Sequence, residues 1–247
     1  MLMAGLSEFY INFFSKKTMK TSITHLSKLS LFAAVLGFTT LFSSCSDDDD
    51  VDTGRSVNVK VVNASEGAGA QDFFIEGAKV TSVAEGEASN YVTVTQSGDD
   101  RDVQFRKSGS AEVYASKELD LKENRNYTFF LTGTGNSAAV RTTEDDLTAP
   151  NSGKAKVRFL HLSSAAPENV DIYTGINTKI AAGIKRNDEV SSFIQIDPAA
   201  GIGVLPAGSS GAGVINTIAL GPIQAGKIYT ILIYGSTDIN ARAVAHN

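Results

Sequence analysis

A histidine, a serine and an aspartate lie within eleven residues of one another in the second half of the chain. His161, Ser163 and Asp171 are the residue types of a hydrolytic triad, in which histidine takes the serine proton and the carboxylate orients the imidazole. His161 and Ser163 share one face of a predicted strand, but Ser163 lies at the strand end without the sharp turn that exposes a nucleophile. The spacing disfavours a triad, and we predict that the protein is not an enzyme.

The same residues fit structural roles at strand ends. Ser163 and Asp171 are expected to accept hydrogen bonds from nearby backbone N–H groups. Tyr127 and Tyr229 are expected to pack on the core with the hydroxyl bonded to backbone, as corner tyrosines do in β-sandwiches. A metal site is disfavoured, because the histidine nearest the chain end, His246, is expected to fray. No metal or cofactor is predicted.

Aromatic side chains supply the remaining candidates for a ligand site. We expect Tyr173 and Tyr234 to be exposed and predict them as ligand contacts, since aromatic rings can stack on sugars. The chain has no Trp, which counts against an extensive stacking platform.

The composition excludes several function classes. The 247 residues are 42% hydrophobic and 20% charged with a net charge of −5, which is typical of a globular chain and lacks the basic footprint of a nucleic-acid-binding protein. The single cysteine, Cys45, can form neither an internal disulfide nor a multi-cysteine zinc site.

Residues 1–44 are typical of a secretory signal peptide. Lys20 and Lys28 precede an apolar run from Leu29 to Phe42, which is shorter than the ~20 apolar residues of a membrane-spanning helix. Residues 1–18 precede a second possible start at Met19, so either methionine could begin the translated chain.

Cys45 lies where the signal peptide ends. The run Phe42-Ser43-Ser44-Cys45 resembles the lipobox of bacterial lipoproteins. The resemblance implies lipidation of Cys45 by a diacylglyceryl and an N-acyl group such as palmitate, which is enough for stable anchoring. The alternative, a buried free thiol, is disfavoured because the neighbouring residues are Ser and Asp.

An acidic run follows the cysteine: Ser46, Asp47, Asp48, Asp49 and Asp50. Adjacent carboxylates repel one another, so residues 45–56 are predicted as an extended linker, and they lack the spaced ligands of a calcium loop. Such a run after a lipidated cysteine resembles the surface-export signal of lipoproteins in certain Gram-negative gut bacteria. The resemblance implies an outer-membrane position facing out, with a periplasmic-facing position as the alternative.

The remaining chain contains the same pattern twice. The segment from Val59 to Ser65 agrees with that from Val157 to Ser163, 98 residues later, and three further blocks follow in the same order. Residues 144–153 are polar and turn-rich, as domain boundaries are. We therefore predict one domain over residues 57–143 and another over residues 154–247, joined by this linker.

Both units alternate apolar and polar residues at period two, as in Val57, Val59 and Val61. Many short segments of this kind, separated by turn residues, predict an all-β fold of two tandem antiparallel β-sandwiches, immunoglobulin-like or transthyretin-like. No amphipathic helix is predicted after Ser56, and the acidic stretches at residues 99–102 and 144–146 lack the spacing of a calcium loop and are predicted as solvated loops.

The second unit resembles a bacterial family called domain of unknown function 4397. The resemblance covers about residues 155–236 and rests on Val157 to Ser163, Pro167, Val170 to Tyr173, Leu205 to Gly208 and Ile223 to Thr230. It implies a small extracytoplasmic β-sandwich and supplies no activity. In the first unit, Asn63 takes the place of His161.

These observations predict a non-enzymatic cell-surface lipoprotein whose two β-sandwich modules bind an extracellular glycan or protein through their end loops. An envelope structural or assembly subunit that pairs exposed strand edges is the alternative, with a hydrolase third. The membrane is a predicted partner through the lipid, and the acidic balance predicts no nucleic-acid partner.

Overall fold

The computed structural model describes residues 55–96, 100–175, 177–210 and 218–247. The first half contains the strands β1 (Arg55–Asn63), β2 (Gln71–Ile75), β3 (Ala78–Val83), β4 (Val92–Gln96), β5 (Asp100–Lys107), β6 (Val113–Asp120), β7 (Asn126–Thr132) and β8 (Ala139–Glu144). The second half contains β9 (Ala155–His161), β10 (Asn169–Thr174), β11 (Thr178–Lys185), β12 (Ile194–Ile196), β13 (Gly201–Pro206), β14 (Ile218–Ala219), β15 (Ile228–Tyr234) and β16 (Asn240–Ala245). Within these ranges the one helical segment is a single 3-10 turn at Gly135–Ser137.

Each half is built from two four-stranded sheets. Their strand orders are β4-β1-β7-β8 and β3-β2-β5-β6 in the first half, and β12-β9-β15-β16 and β11-β10-β13-β14 in the second. The predicted all-β sandwich class is confirmed. One pairing in each half departs from the antiparallel prediction, because β1 pairs with β7 and β9 with β15 in parallel. In both cases the chain crosses to the other sheet and returns to the same end before the second strand begins.

Each half encloses its own apolar core between its two sheets. In the first half, Phe73 contacts Phe105 and Phe129 with ring centroids 5.0 and 4.9 Å apart, and all three side chains are fully buried. In the second half, Phe159 and Ile172 are among the fully buried residues. The alternation of apolar and polar residues along the strands explains why each core lies between two sheets, since every second residue of a strand faces the same side.

The two corner tyrosines are confirmed. The Tyr127 hydroxyl accepts a hydrogen bond from the backbone N–H of Lys122 at 3.0 Å, and the Tyr229 hydroxyl accepts one from Gln224 at 3.3 Å. Both tyrosines are buried at the start of a central strand. The hydroxyl therefore ties the preceding loop to the core at the same place in each half.

A third apolar cluster joins the two halves. It consists of Val62, Phe130, Leu160, Leu232 and Val244, which are all buried. These side chains point away from the core of their own half, so sheet β4-β1-β7-β8 faces sheet β12-β9-β15-β16 across this cluster. The central strands of both sheets are thus covered on both faces, and residues 50–247 form one compact unit.

The solvated loop predicted at residues 99–102 is wrong for its described part. Strand β5 begins at Asp100, and Arg101 is only 2% exposed. The acidic residues at the start of β5 suggested a loop. The segment is instead a strand, because the side chains of Val103 and Phe105 pack in the core. Local charge misleads here, because tertiary burial decides strand formation.

Candidate functional site

His161 is a buried residue that holds its own loop. Its Nε2 lies 2.9 Å from the carbonyl oxygen of Pro167, and its Nδ1 accepts a hydrogen bond from the backbone N–H of Ser163 at 3.3 Å. Burial lowers the pKa of this imidazole. With both ring nitrogens engaged by backbone, His161 has no position from which to activate a serine.

Ser163 and Asp171 also bond to backbone, as predicted. The Ser163 hydroxyl donates to the carbonyl of Gly235 at 2.8 Å and accepts from the N–H of Ala166 at 3.2 Å. The Asp171 carboxylate accepts from the N–H of Gly183 and of Gly208 at 2.9 and 3.0 Å. The structure therefore does not join His161, Ser163 and Asp171 into a relay.

The first half makes the same loop contacts with an asparagine, Asn63, in place of the histidine. Asn63 donates to the carbonyl of Gly69 at 2.8 Å and accepts from the N–H of Ser65, whose hydroxyl donates to Gly133. Asn63 thus makes the same loop contacts as His161. Because an amide is not a general base, the shared contacts indicate a structural role at both positions.

Asp171 is expected to stabilise the fold strongly. A hydrogen bond from Lys179 holds the pKa of this buried carboxyl below its usual range. We expect Asp171→Ala to lower the free energy of unfolding by about 2–3 kcal/mol, since two backbone N–H groups lose a charged acceptor. The wild-type advantage should be fully present above pH ~4 and decline as acid protonates the carboxylate. Urea unfolding followed by circular dichroism measures both effects.

The matched control for this substitution is Asp197→Ala. Asp197 also forms an ion pair with a lysine, Lys154, but its side chain is 81% exposed. The expected change is therefore below ~1 kcal/mol. Equal losses in the two variants would contradict the structural role given to Asp171.

The two predicted ligand-contact tyrosines differ in position. Tyr173 is 1% exposed, and its hydroxyl donates to the carbonyl of Ser209 at 2.7 Å, so the expectation that Tyr173 is exposed is wrong. Strand β10 lies inside its sheet, where the ring is covered. Tyr234, at the end of β15, is partly exposed at the junction of the two halves.

Tyr234 lies between two recesses that form a continuous groove, called the junction groove below. One recess, of about 210 Å³, is lined by Glu66 and Glu85 of the first half and by Leu232, Tyr234 and Arg242 of the second. The other, also about 210 Å³, shares Glu66 and Tyr234. The groove therefore has one wall from each half, and it exists only while the halves are in contact.

Three polar side chains in the junction groove have no partner of their own. Among the described residues, the Tyr234 hydroxyl, the Arg242 guanidinium and the Glu66 carboxylate make no hydrogen bond or ion pair. Glu85 differs, because its carboxylate accepts from the N–H groups of Gly67 and Gly69 at 2.6 and 2.9 Å, which lowers its pKa. The recess beside Leu232 is mainly apolar and the other is mainly polar, and the groove adds a donor, an acceptor and an aromatic ring that are free to contact a ligand.

Elsewhere along the junction, charged and hydroxyl side chains are buried between the halves. The Asp145 carboxylate pairs with the guanidinium of Arg158 and accepts from the hydroxyls of Thr128 and Tyr91, each at 2.6 Å. The Arg158 guanidinium also stacks on Phe193, 4.3 Å from the ring centroid. Asp145 and Arg158 are 4% and 1% exposed, so this pair is desolvated. The solvated loop predicted at residues 144–146 is therefore wrong at Asp145, because the second half covers it and supplies its cation.

His246 belongs to the same buried cluster, and the expectation that it frays is wrong. It is 6% exposed, its Nδ1 lies 2.7 Å from the Tyr91 hydroxyl and its Nε2 lies 2.8 Å from the Thr230 hydroxyl. The backbone N–H of His246 also donates to the carbonyl of Ile228. Burial, with Arg158 and Lys60 nearby, lowers the pKa of His246 to about 3.

The predicted linker at residues 144–153 lies along the junction. Besides Asp145, it contributes Asp146 and Thr148, whose oxygens surround the ammonium group of Lys156 at 2.5–3.3 Å. Asn151 donates its backbone N–H to the side chain of Gln195 at 2.8 Å. This segment is therefore fixed by contacts with the second half.

Cys45, Ser46 and the aspartates Asp47, Asp48, Asp49 and Asp50 lie outside the described residues. Within the described ranges, no helix has the length and hydropathy needed to cross a membrane. In the same part of the chain, no group of His, Cys, Asp or Glu side chains is arranged to hold a metal ion.

The comparisons with solved structures give weak likenesses. The chain is similar to a family CBM26 carbohydrate-binding module from Eubacterium rectale Amy13K at 11% identity and a TM-score of 0.23, over 75% of this chain and 95% of that one. It is similar to family 41 carbohydrate-binding modules from streptococcal virulence factors at 9% identity and a TM-score of 0.24, over 75% and 96%. The Bacillus anthracis TIE protein matches at 11% identity and a TM-score of 0.20, over 78% and 34%. These scores carry no argument about function.

A comparison with curated proteins gives no match. The family comparison matches residues 57–173 to the domain of unknown function DUF4397. The match covers the whole first half and the beginning of the second, whereas the resemblance predicted from the sequence covered about residues 155–236. The family identified for this part of the chain, residues 57–173, is DUF4397.

Proposed function

We propose that this protein is a non-catalytic lipoprotein of the outer membrane, displayed on the cell surface, that binds an extracellular glycan through the junction groove. The signal peptide, Cys45 and the acidic run at residues 46–50 support the anchor and the outward display. The matching strand orders of the two halves support two copies of one module. We propose that these copies occupy residues 57–143 and 154–247.

One observation carries the binding proposal. Tyr234 and Arg242 from the second half and Glu66 from the first half meet at an apolar-walled recess without partners of their own. Side chains that could bond to protein but do not are available to a ligand, and ligand sites typically combine apolar walls with a few convergent polar groups.

The chemistry of the groove favours a sugar ring over a charged small molecule. An aromatic face packs against the C–H face of a sugar, while a guanidinium and a carboxylate bond to its hydroxyls as donor and acceptor. The recess of about 210 Å³ is smaller than the ~300–1,000 Å³ of sites for whole drug-sized ligands. It therefore suits one ring of a longer glycan that continues along the groove.

Removing the aromatic ring is expected to weaken binding at least tenfold. Tyr234→Ala deletes the largest contact of the groove, and central aromatic contacts dominate binding energies. The measurement screens residues 50–247 against immobilised host, plant and bacterial oligosaccharides, followed by calorimetry on the retained ones.

The matched control is Tyr114→Ala. Tyr114 is also partly buried in the first half, and it packs on the core outside the groove. Its variant should bind as the wild type does once folding is verified by circular dichroism. Unchanged affinity in the Tyr234 variant would remove the junction groove as the binding surface.

Three edge strands of the second half oppose assembly by strand pairing. Strand β11 carries Lys179 and Lys185 and pairs irregularly with β10, while β12 and β14 have three and two residues. Lysines, irregular pairing and short strands are devices that protect edges from pairing with other chains. The ligand-binding function is therefore preferred to an assembly subunit.

A further inference from the structure

We propose that His246, as a neutral imidazole protonated on Nδ1, closes a ring of hydrogen bonds that locks the two halves together, and that a second proton on this imidazole opens the lock. The ring crosses the junction, because Tyr91 and Asp145 precede the second half whereas Arg158, Thr230 and His246 belong to it. It lies beside the apolar cluster that contains Val62 and Leu160.

The donors and acceptors fix the direction of every bond in the ring. Arg158 Nε donates to the Thr230 hydroxyl oxygen at 2.8 Å, so the hydrogen of that hydroxyl can point to Nε2 of His246. The Tyr91 hydroxyl donates to Asp145 Oδ2 at 2.6 Å, so its oxygen accepts from Nδ1–H of His246 at 2.7 Å. Asp145 Oδ1 accepts from Arg158 and closes the ring.

The opposite tautomer leaves the ring incompletely bonded. With the proton on Nε2, the Thr230 oxygen would accept from both Nε2 and Arg158, and its own hydrogen would lose the imidazole acceptor. The Tyr91 hydroxyl would have to donate to Nδ1, which leaves its oxygen against the Asp145 carboxylate with no proton between them. Only the Nδ1–H tautomer satisfies all five side chains.

A second proton, on Nε2, takes away the acceptor of the Thr230 hydroxyl hydrogen and puts a cation close to other positive charges. Arg158 on β9 and Lys60 on β1 both disfavour a cation at this place, and burial disfavours it further. Asp145 Oδ2 is the facing anion, 4.0 Å from Nδ1, but it is already engaged by Tyr91 and Thr128. The remaining contact is the ring of Phe193, edge-on at 6.0 Å between centroids.

The sign of the pH effect follows from the burial of His246. Its pKa is about 3 when the halves are docked and near 6.5 when the imidazole is in water, so the docked state binds fewer protons. The equilibrium constant for docking of the two halves is therefore highest above pH ~6.5 and falls about tenfold for each pH unit below it. Opening separates Tyr234 from Glu66; this consequence, release of the ligand in acid, rests on the function proposed above.

The tautomer can be read directly from long-range ¹H–¹⁵N spectra of the imidazole rings. Residues 50–247 contain two histidines, and His161 is an internal reference. Its Nε2 faces a carbonyl and its Nδ1 accepts an N–H, which requires the Nε2–H tautomer. At pH 7 we expect Nδ1–H for His246 and Nε2–H for His161. An Nε2–H pattern at His246 would overturn the proposal.

The substitution His246→Gln tests protonation of the imidazole separately from loss of the hydrogen bonds that His246 makes. A glutamine amide can donate to Tyr91 and accept from Thr230, but it takes no proton in this pH range. Small-angle scattering from pH 7 to pH 3 should show the wild type expanding at a higher pH than the variant. Superimposable profiles would count against the lock. Neither measurement uses a ligand, so these results and those on glycan binding can fail separately.

Discussion

Asp145→Ala is expected to lower the free energy of unfolding by about 3–5 kcal/mol. The substitution leaves the Arg158 guanidinium buried without its anion, and uncompensated buried charges carry penalties of this size. It also removes the acceptor of the Tyr91 and Thr128 hydroxyls. Because the chain has no Trp, urea unfolding is best followed by circular dichroism with tyrosine fluorescence as the second probe.

Two further variants test the reason for that loss. Asp146→Ala is the neighbouring control; its carboxylate is 58% exposed, and its partner Lys156, although 9% exposed, keeps the Asp146 carbonyl and the Thr148 oxygens as acceptors, so a smaller change of about 1–2 kcal/mol is expected. The double substitution Asp145→Leu with Arg158→Met removes both charges and should recover much of the stability, since apolar side chains can replace a buried pair. Equal losses for the two neighbouring aspartates would contradict the buried pair.

Cys45→Ser is expected to move the protein completely from the membrane fraction to the soluble fraction. A serine offers no thiol for the diacylglyceryl group, so the lipid that we propose as the membrane anchor cannot be attached. Fractionation with immunoblotting measures the shift, and loss of labelled palmitate measures the missing lipid. Retention of the variant in the membrane would contradict lipid anchoring.

The acidic run is tested separately from the lipid. Replacing Asp47, Asp48, Asp49 and Asp50 by alanine keeps Cys45 and should therefore keep the membrane attachment. If this run directs export to the surface, protease added to intact cells should degrade the wild type and spare the variant. Protection of both would place the protein on the periplasmic side.

Local pattern was sufficient for the class of fold and for several loop contacts. The alternation in β1 predicted a strand in which Val57, Val59 and Val61 share one face, and all three are buried in the core of the first half. The corner tyrosines Tyr127 and Tyr229 were predictable because each lies near the start of a strand at a corresponding position of its half. Strand faces and corner tyrosines are determined by residues that are close in sequence, so they can be predicted from the local pattern.

The junction between the halves was not predictable in the same way. Lys60 and Arg158 alternate with valines and so indicate a solvated strand face, yet a second sheet covers that face. A signal was nonetheless present: Thr128 corresponds to Thr230, and Asp145 and His246 each follow the last strand of their half. Polar residues repeated at positions that point away from both cores could have indicated a shared polar interface.

The candidate site was only partly predicted, because most of it depends on contacts between the two halves. Tyr234 was found from its type and place at a strand end, whereas Tyr173 has the same type and a similar place but is covered by the turn that contains Ser209. Arg242 and Glu66 carry no motif at all. They become a site only because contact between the halves brings them to one groove.

The most direct test of the binding account is an NMR titration of ¹⁵N-labelled residues 50–247 with the oligosaccharide that the panel retains most tightly. The account predicts amide shifts concentrated around Glu66 in the first half and around Tyr234 and Arg242 in the second. Shifts confined to the outer sheets, or a complete panel without a bound oligosaccharide, would contradict it.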